Sequence, residues 1–225
     1  MAQLYAVTRH AAFTLLELLV VIAIIAILMV LVVPAFNGIN SNRNFSRAVN
    51  DVSGFLELAR AEAMATRSYV YIGFANTTNS DGNSELRIGA VISIDGSSNA
   101  ASTNLRPISK LVKIQNVQMT NYSSLPSVVR SAADVTISDD SDYVVSYSST
   151  TYLQGQFNDT TLNSCPAIAL SPQGEILHSS NPTVFFRTTS SIGLVQTHGT
   201  TAVTSDGAIV SYYGGTGQLR VTRPL

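Results

Sequence analysis

Three hydrophobic rhythms divide the chain. From Leu18 to Asn42 no side chain ionises, and from Leu18 to Val33 every position is apolar. A helix that is apolar all round suits a membrane or a fully buried site. With Phe13 to Leu16 the run is long enough to cross a hydrocarbon core of ~30 Å. The second rhythm begins at Phe45, where Phe45, Ala48, Val49, Val52, Leu56, Ala59 and Ala63 recur at three- and four-residue steps. Arg43, Arg47, Asp51, Arg60, Glu62 and Arg67 fall mostly off that stripe, as expected of an amphipathic helix with one buried face. Pro34 lacks an N–H and is expected to bend or locally melt the helix, with Gly38 weakening the same stretch. The pattern predicts one helix from about Thr14 to about Thr66, bent near Pro34 and roughly 80 Å long. The alternative is a plain signal anchor joined by a linker to an independent domain; the continuing periodicity argues against it.

After Ser68 the period falls to two. Strands are predicted at 69–74, 86–94, 111–119, 143–148, 167–170, 184–188, 201–203, 209–213 and 219–222. Ala75 to Ser84 reads as a polar loop, and Val128 to Ala133 as a short helical turn. Ser171 to Gly174 and Tyr213 to Gly217 carry turn chemistry. The Ser/Thr-rich stretches at 138–151 and 188–205 read as exposed strands and loops. The expected class is α+β: a long N-terminal helix, membrane-spanning in its first half, packed on an antiparallel β-sheet body. Four segments follow: a leader at 1–12, an apolar helix at 13–36, its amphipathic continuation at 37–67, and a β-rich domain at 68–225.

Composition narrows the function classes. A net charge of -1 gives no whole-chain electrostatic argument for nucleic acid. Cys165 is the only cysteine, so no internal disulfide and no multi-cysteine metal site can form. The leader carries Arg9, with His10 beside it, which places it on the cytoplasmic side by the positive-inside rule. No small-x-small cleavage signal follows the apolar run, whereas the small pair Ala11-Ala12 precedes it. A cut at that pair keeps the apolar helix in the mature chain. Glu17 breaks the apolar register. It closes a Thr14-x-x-Glu17 capping pattern, and an acid in a first turn suits the helix dipole. A cut between Ala12 and Phe13 would also free an α-amine four residues before Glu17, able to neutralise the carboxylate of a neighbouring, staggered copy.

The run Ala12-Phe13-Thr14-Leu15-Leu16-Glu17-Leu18-Leu19-Val20-Val21-Ile22 resembles the cleavage signal of type IV prepilins and type II secretion pseudopilins. The resemblance implies that prepilin peptidase cuts after Ala12 and methylates Phe13. It also implies that Glu17 governs assembly with other pilin subunits and that Pro34 is the kinking proline. The family usually has glycine where this chain has Ala12. The helix end from Phe55 to Ser68 is similar to that of H-type minor pseudopilins and FimT-like proteins. The stretch from Leu86 through Val117 loosely resembles Verru_Chthon cassette D proteins. The implied role is a non-enzymatic filament subunit, with no cofactor. Its setting would be the bacterial inner membrane, in contact with lipid, with the leader cytoplasmic and the body periplasmic, and afterwards a pilus or pseudopilus. Alternatives are a DNA- or surface-binding tip module and a membrane-anchored β-domain that does not polymerise.

The body offers little chemistry of its own. His178 and His198 sit in polar turn-like contexts, no Gly-x-Ser-x-Gly elbow accompanies the serines, and no phosphate-binding glycine loop appears. Cys165, before an apolar strand, reads as a small buried filler. Asp139, Asp140 and Asp142 lack a calcium-loop register and read as a solvated acidic loop. Arg43, Arg47, Arg60 and Arg67 would be the DNA-facing candidates, with a solvated helix face as the plainer reading. A pocket joining a histidine, a serine and an acid would instead indicate an enzyme.

Overall fold

The computed structural model describes residues 15–98, 104–132, 151–163, 165–177, 189–213 and 216–223. Two compact units, Met1–Asn44 and Phe45–Leu225, divide the chain. The predicted strands at 143–148 and 184–188, and residues His10, Thr14, Asp139, Asp140, Asp142 and His178, lie outside the described residues.

Helix α1 runs from Leu15 to Thr66 and belongs to both units. It is continuous through Pro34 and Gly38, so the expected local melting does not occur. In the first unit its large apolar side chains are exposed from Leu15 to Met29, and even Val21, the least exposed of them, shows 45% of its surface. Among the described residues no helix is long and apolar enough to cross a membrane. The side chains of this unit are described only as far as Met29, whereas in the sequence the apolar run continues to Val33.

In the second unit the rest of α1 supplies a buried stripe: Phe45, Ala48, Val49, Val52, Phe55, Leu56, Ala59 and Ala63. These are the positions the three- and four-residue spacing selects, with Phe55 added. The stripe shares one core with the inner faces of two antiparallel sheets. The first sheet contains β1 (Val70–Thr78), β2 (Ser84–Ser93), β3 (Leu105–Pro107), β4 (Val112–Gln115), β6 (Ala167–Leu170) and β7 (Ile176–Leu177). Its order is β3-β2-β1-β6-β7, and β4 pairs with β2 on the same edge as β3. The second contains β5 (Val117–Thr120), β8 (Thr189–His198), β9 (Thr201–Tyr213) and β10 (Leu219–Thr222), in the order β10-β9-β8-β5.

Each sheet is covered on its outer face too, by a short helix resting on glycines. On the first sheet Gly73 and Gly89 pair across β1 and β2. A Cβ at Gly73 would lie 2.3 Å from Leu153, and one at Gly89 2.7 Å from the ring of Phe157. Both residues belong to helix α3 (Thr151–Phe157), which leads into a 3-10 turn at Thr160–Leu162. Leu153, Leu162 and Cys165 form a separate apolar cluster with Tyr71, Ala75, Val91, Leu105 and Ala169. On the second sheet Gly193 and Gly207 admit Leu125 and Pro126, just before helix α2 (Ser127–Ala132), whose Val129 packs on Val195 and Ile209.

The period-two reading is corrected in several places. The predicted loop from Ala75 to Ser84 shrinks to the turn after Thr78, because Ala75–Thr78 continue β1 in register with Ser84–Arg87. Asn79 Oδ1 organises that turn by accepting from the N–H groups of Asp81 and Asn83. The single strand predicted at 111–119 is two strands in different sheets, divided at Asn116, whose φ is 59°. Asparagine tolerates that left-handed backbone better than most residues. The strands predicted at 201–203 and 209–213 are one, β9. Its partner β8 lies in the Ser/Thr-rich stretch read as exposed, yet Ser190 to Thr197 are buried. Helix α3 and strand β7 were not predicted at all.

Candidate functional site

The sequence points to the start of α1 as the functional element. Glu17 lies in the first turn of α1, where an acid complements the helix dipole, and its side chain is exposed among exposed leucines. Ala12 and Phe13, the expected cleavage pair, lie outside the described residues, and Pro34 lies within the helix. Glu17 is the only ionisable residue between Leu15 and Met29, so it alone puts a charge on the apolar surface of that span.

The base of the body's own part of the helix is held by the chain's far end. Arg223 lies over the ring of Phe45, 4.8 Å from its centroid. The same guanidinium donates to both oxygens of Asp206, at 3.1 and 3.0 Å, and to Ser46 Oγ. Its planar fork satisfies an acid and a ring face together, which a lysine would not do. No period or spacing in the sequence pointed to Arg223, since the pair is separated by most of the chain.

Further along α1, Arg60 sits between two turns. Its Nη2 donates to Thr216 O at 2.9 Å. A Cβ at Gly174 would meet Arg60 at 2.9 Å and one at Gly217 at 2.0 Å. Both glycines adopt positive φ, 77° and 65°, so the turns read from the sequence need glycine for backbone and for space alike. Tyr212 donates to Gly174 O at 2.6 Å, and burial pushes its phenol up to about 12 against the opposing charge of Arg60. Arg60 is therefore a partly buried clamp that ties the two turns to α1. Arg43, Arg47 and Arg67 are exposed, and Arg47 lies 3.8 Å from Asp51 in an i,i+4 pair.

The remaining body candidates are placed as follows. Cys165 is buried, as its filler reading expected. His198 is exposed at the turn between β8 and β9. No group of three metal-binding side chains occurs among the described residues. A shallow cleft of about 320 Å³ opens at the C-terminal end of α1, between Arg67, Ser68, Ile94, Asp95 and Arg106. Asp95 is held there as a structural carboxylate. It accepts from Ser97 N–H, the Ser93 hydroxyl and the Asn104 amide, and these bonds, led by that of Ser97, lower its pKa to about 2. The cleft brings no histidine to a serine and an acid.

Residues 8–33 match the Prokaryotic N-terminal methylation motif family. The chain thus carries a type IV prepilin-like or pseudopilin-like N-terminus, and the motif implies processing by prepilin peptidase and assembly with other pilins in general terms. The match begins at Thr8, covers only the last five residues of the expected leader, and runs through the apolar part of α1 to Val33. Comparison with curated proteins and with solved structures found no match.

Proposed function

We propose that the chain is the precursor of a structural subunit, minor pilin-like or pseudopilin-like, of a type IV pilus or a type II secretion pseudopilus. It enters the inner membrane with the leader in the cytoplasm. Prepilin peptidase cuts between Ala12 and Phe13, and the new α-amine of Phe13 is methylated. The apolar helix then stacks with other subunits, bent at Pro34, and Glu17 sets the register by pairing with the Phe13 amine of a neighbour. The β-rich body makes the outward contacts, and no catalytic step is assigned to it.

The observation that carries this reading is the exposed apolar surface of α1 from Leu15 to Met29, in register with the methylation motif. Eleven or more large apolar side chains left bare on one helix are far beyond a monomer's ordinary surface, and lipid or other subunits are the partners that suit them. A DNA-binding tip module is the weaker alternative, because Arg60 is bonded to Thr216 O and Arg47 faces Asp51.

Mass spectrometry of the mature N-terminus, in cells with and without prepilin peptidase, tests the proposal. Methylated Phe13 appearing only with the peptidase is the expected result. An intact leader in both strains refutes processing and leaves a tethered β-domain. Glu17→Ala is expected to insert normally but to be lost from sheared filaments; unchanged incorporation refutes the pairing role.

A further inference from the structure

The cover over the first sheet is attached differently from everything around it. Residues 153–162 comprise most of α3, the bend at Asn158 (φ 50°) and the 3-10 turn. The described backbone hydrogen bonds of the turn are local: Asp159 N–H to Gln154 O, Leu162 N–H to Asp159 O and Asn163 N–H to Thr160 O. The strands below are instead tied by continuous ladders. A seven-residue helix is too short to be stable alone, so the segment depends on what it touches.

It touches the sheet in two ways. Leu153 and Leu162 are fully buried and Phe157 partly so, with Leu153 and Phe157 seated over the bare glycine pair. A charged tie also crosses the boundary. Arg87 on β2 donates through Nη1 to Asp159 Oδ2 at 2.8 Å, while its Nε holds Glu85 at 2.8 Å on the same strand. The other oxygen of Asp159 accepts from Thr161 N–H at 3.0 Å and from the Thr161 hydroxyl at 2.6 Å, which caps the 3-10 turn. Asp159 thus organises the segment internally and fastens it to the sheet. Beneath it lies the thiol of Cys165, 2.9 Å from where a Cβ on Gly73 would stand.

We propose that residues 153–162 form a lid that opens as a unit while both sheets stay paired, with Arg87–Asp159 as its latch and Cys165 as the group it shields. Segments with few long-range backbone ties are the ones that open below the global unfolding free energy. Opening bares the outer face of β1 and β2 around Tyr71, Gly73, Gly89 and Val91. Because the chain has one cysteine, thiol labelling reports exposure at Cys165 and nowhere else. The inference stands apart from the assembly reading.

The test labels the full-length chain in detergent micelles with a small maleimide, across urea concentrations below the unfolding transition. Hydrogen exchange of the β8 and β9 amides is followed in parallel. Wild-type labelling is expected to be slow and nearly independent of urea. Asp159→Asn, which retains an acceptor for Thr161, is expected to raise the rate about tenfold, the equivalent of about 1.4 kcal/mol. Protection of β8 and β9 should stay unchanged. Arg87→Lys, which keeps the charge but loses the fork, should fall between the two. The proposal is overturned if labelling in every variant rises only with the loss of β8 and β9 protection. It is equally overturned if wild-type Cys165 reacts at the rate of an unfolded chain, or if neither latch variant changes the rate.

Discussion

Replacing Gly73 with alanine adds one methyl group where the structure has no room for it. The new Cβ would lie 2.3 Å from Leu153 Cδ1 and 2.9 Å from Cys165 Sγ, both within a buried cluster. Overpacking of this kind costs about 1–3 kcal/mol. Alanine recovers about 0.5–1 kcal/mol of that, since glycine inside a strand is the more costly residue to order. The net expectation is a loss centred on about 1 kcal/mol, or about 0.5 M in the urea midpoint at an ordinary slope.

The assay is equilibrium urea unfolding of the full chain in micelles. Gly155→Ala is the matched control. It lies on α3 itself, nothing stands within 4 Å of its Cβ site, and alanine is the better helix former. It should stabilise by about 0.5–1 kcal/mol, so the two glycine-to-alanine changes carry opposite signs. Leu153→Ala alone should cost about 2–5 kcal/mol. Combined with Gly73→Ala it should cost less than the sum, because the added methyl enters the space the leucine vacates. A neutral or stabilising Gly73→Ala, or strict additivity of the pair, refutes the claim that the lid sits on the glycine trough.

Other consequences follow from single contacts. Asn116→Gly should leave the urea midpoint within a few tenths of a kcal/mol, whereas Asn116→Val should cost about 1–3 kcal/mol at φ 59°. Arg60→Ala should cost about 1–2 kcal/mol by removing the tie to Thr216 O, and Gly217→Ala should remain destabilising even in that background because its φ stays positive. Acid stability follows the carboxylates. Burial raises the pKa of Asp159, but Thr161 and Arg87 more than offset it, and its folded value lies below the ordinary one. Asp95 is lowered to about 2. Groups with lowered folded values stabilise the protein fully above the unfolded value of about 4, and that contribution is lost as pH falls through the folded value. The urea midpoint should therefore drop below about pH 4, and less steeply in Asp159→Asn. Tyr212, raised to about 12, works in reverse: its contribution is present below pH about 10 and lost as pH rises to about 12, and Tyr212→Phe should remove that alkaline phase from the phenolate titration.

The helix was the most legible part of the chain. Its buried stripe repeats at a period only a helix satisfies, and its start lies within the matched methylation motif. The strands were legible as apolar runs but not in their limits. Asn116 shows why. Val112 to Gln115 and Val117 to Thr120 each alternate correctly, and only the left-handed asparagine between them sends the second strand to another sheet. The polar Gln115-Asn116 pair was the available signal. Helix α3 escaped because seven residues with a central glycine show no helical period, and the reason it folds lies in β1 and β2. The anchor of Phe45 by Arg223 escaped because its partners, on α1, on β9 and just after β10, are far apart in sequence.

Alternation fails here for one physical cause. A sheet with one wet face alternates apolar and polar residues, whereas a sheet covered on both faces reads as a nearly continuous apolar run. β1 is buried from Val70 through Ala75, and β2 at nine of its ten positions, because α1 lies on one face and a glycine-seated cover on the other. The second unit thus covers its first sheet on both faces with its own residues. Among the described residues the leucines and isoleucines from Leu15 to Met29 are bare, and the proposed stacking of the helix would give them partners.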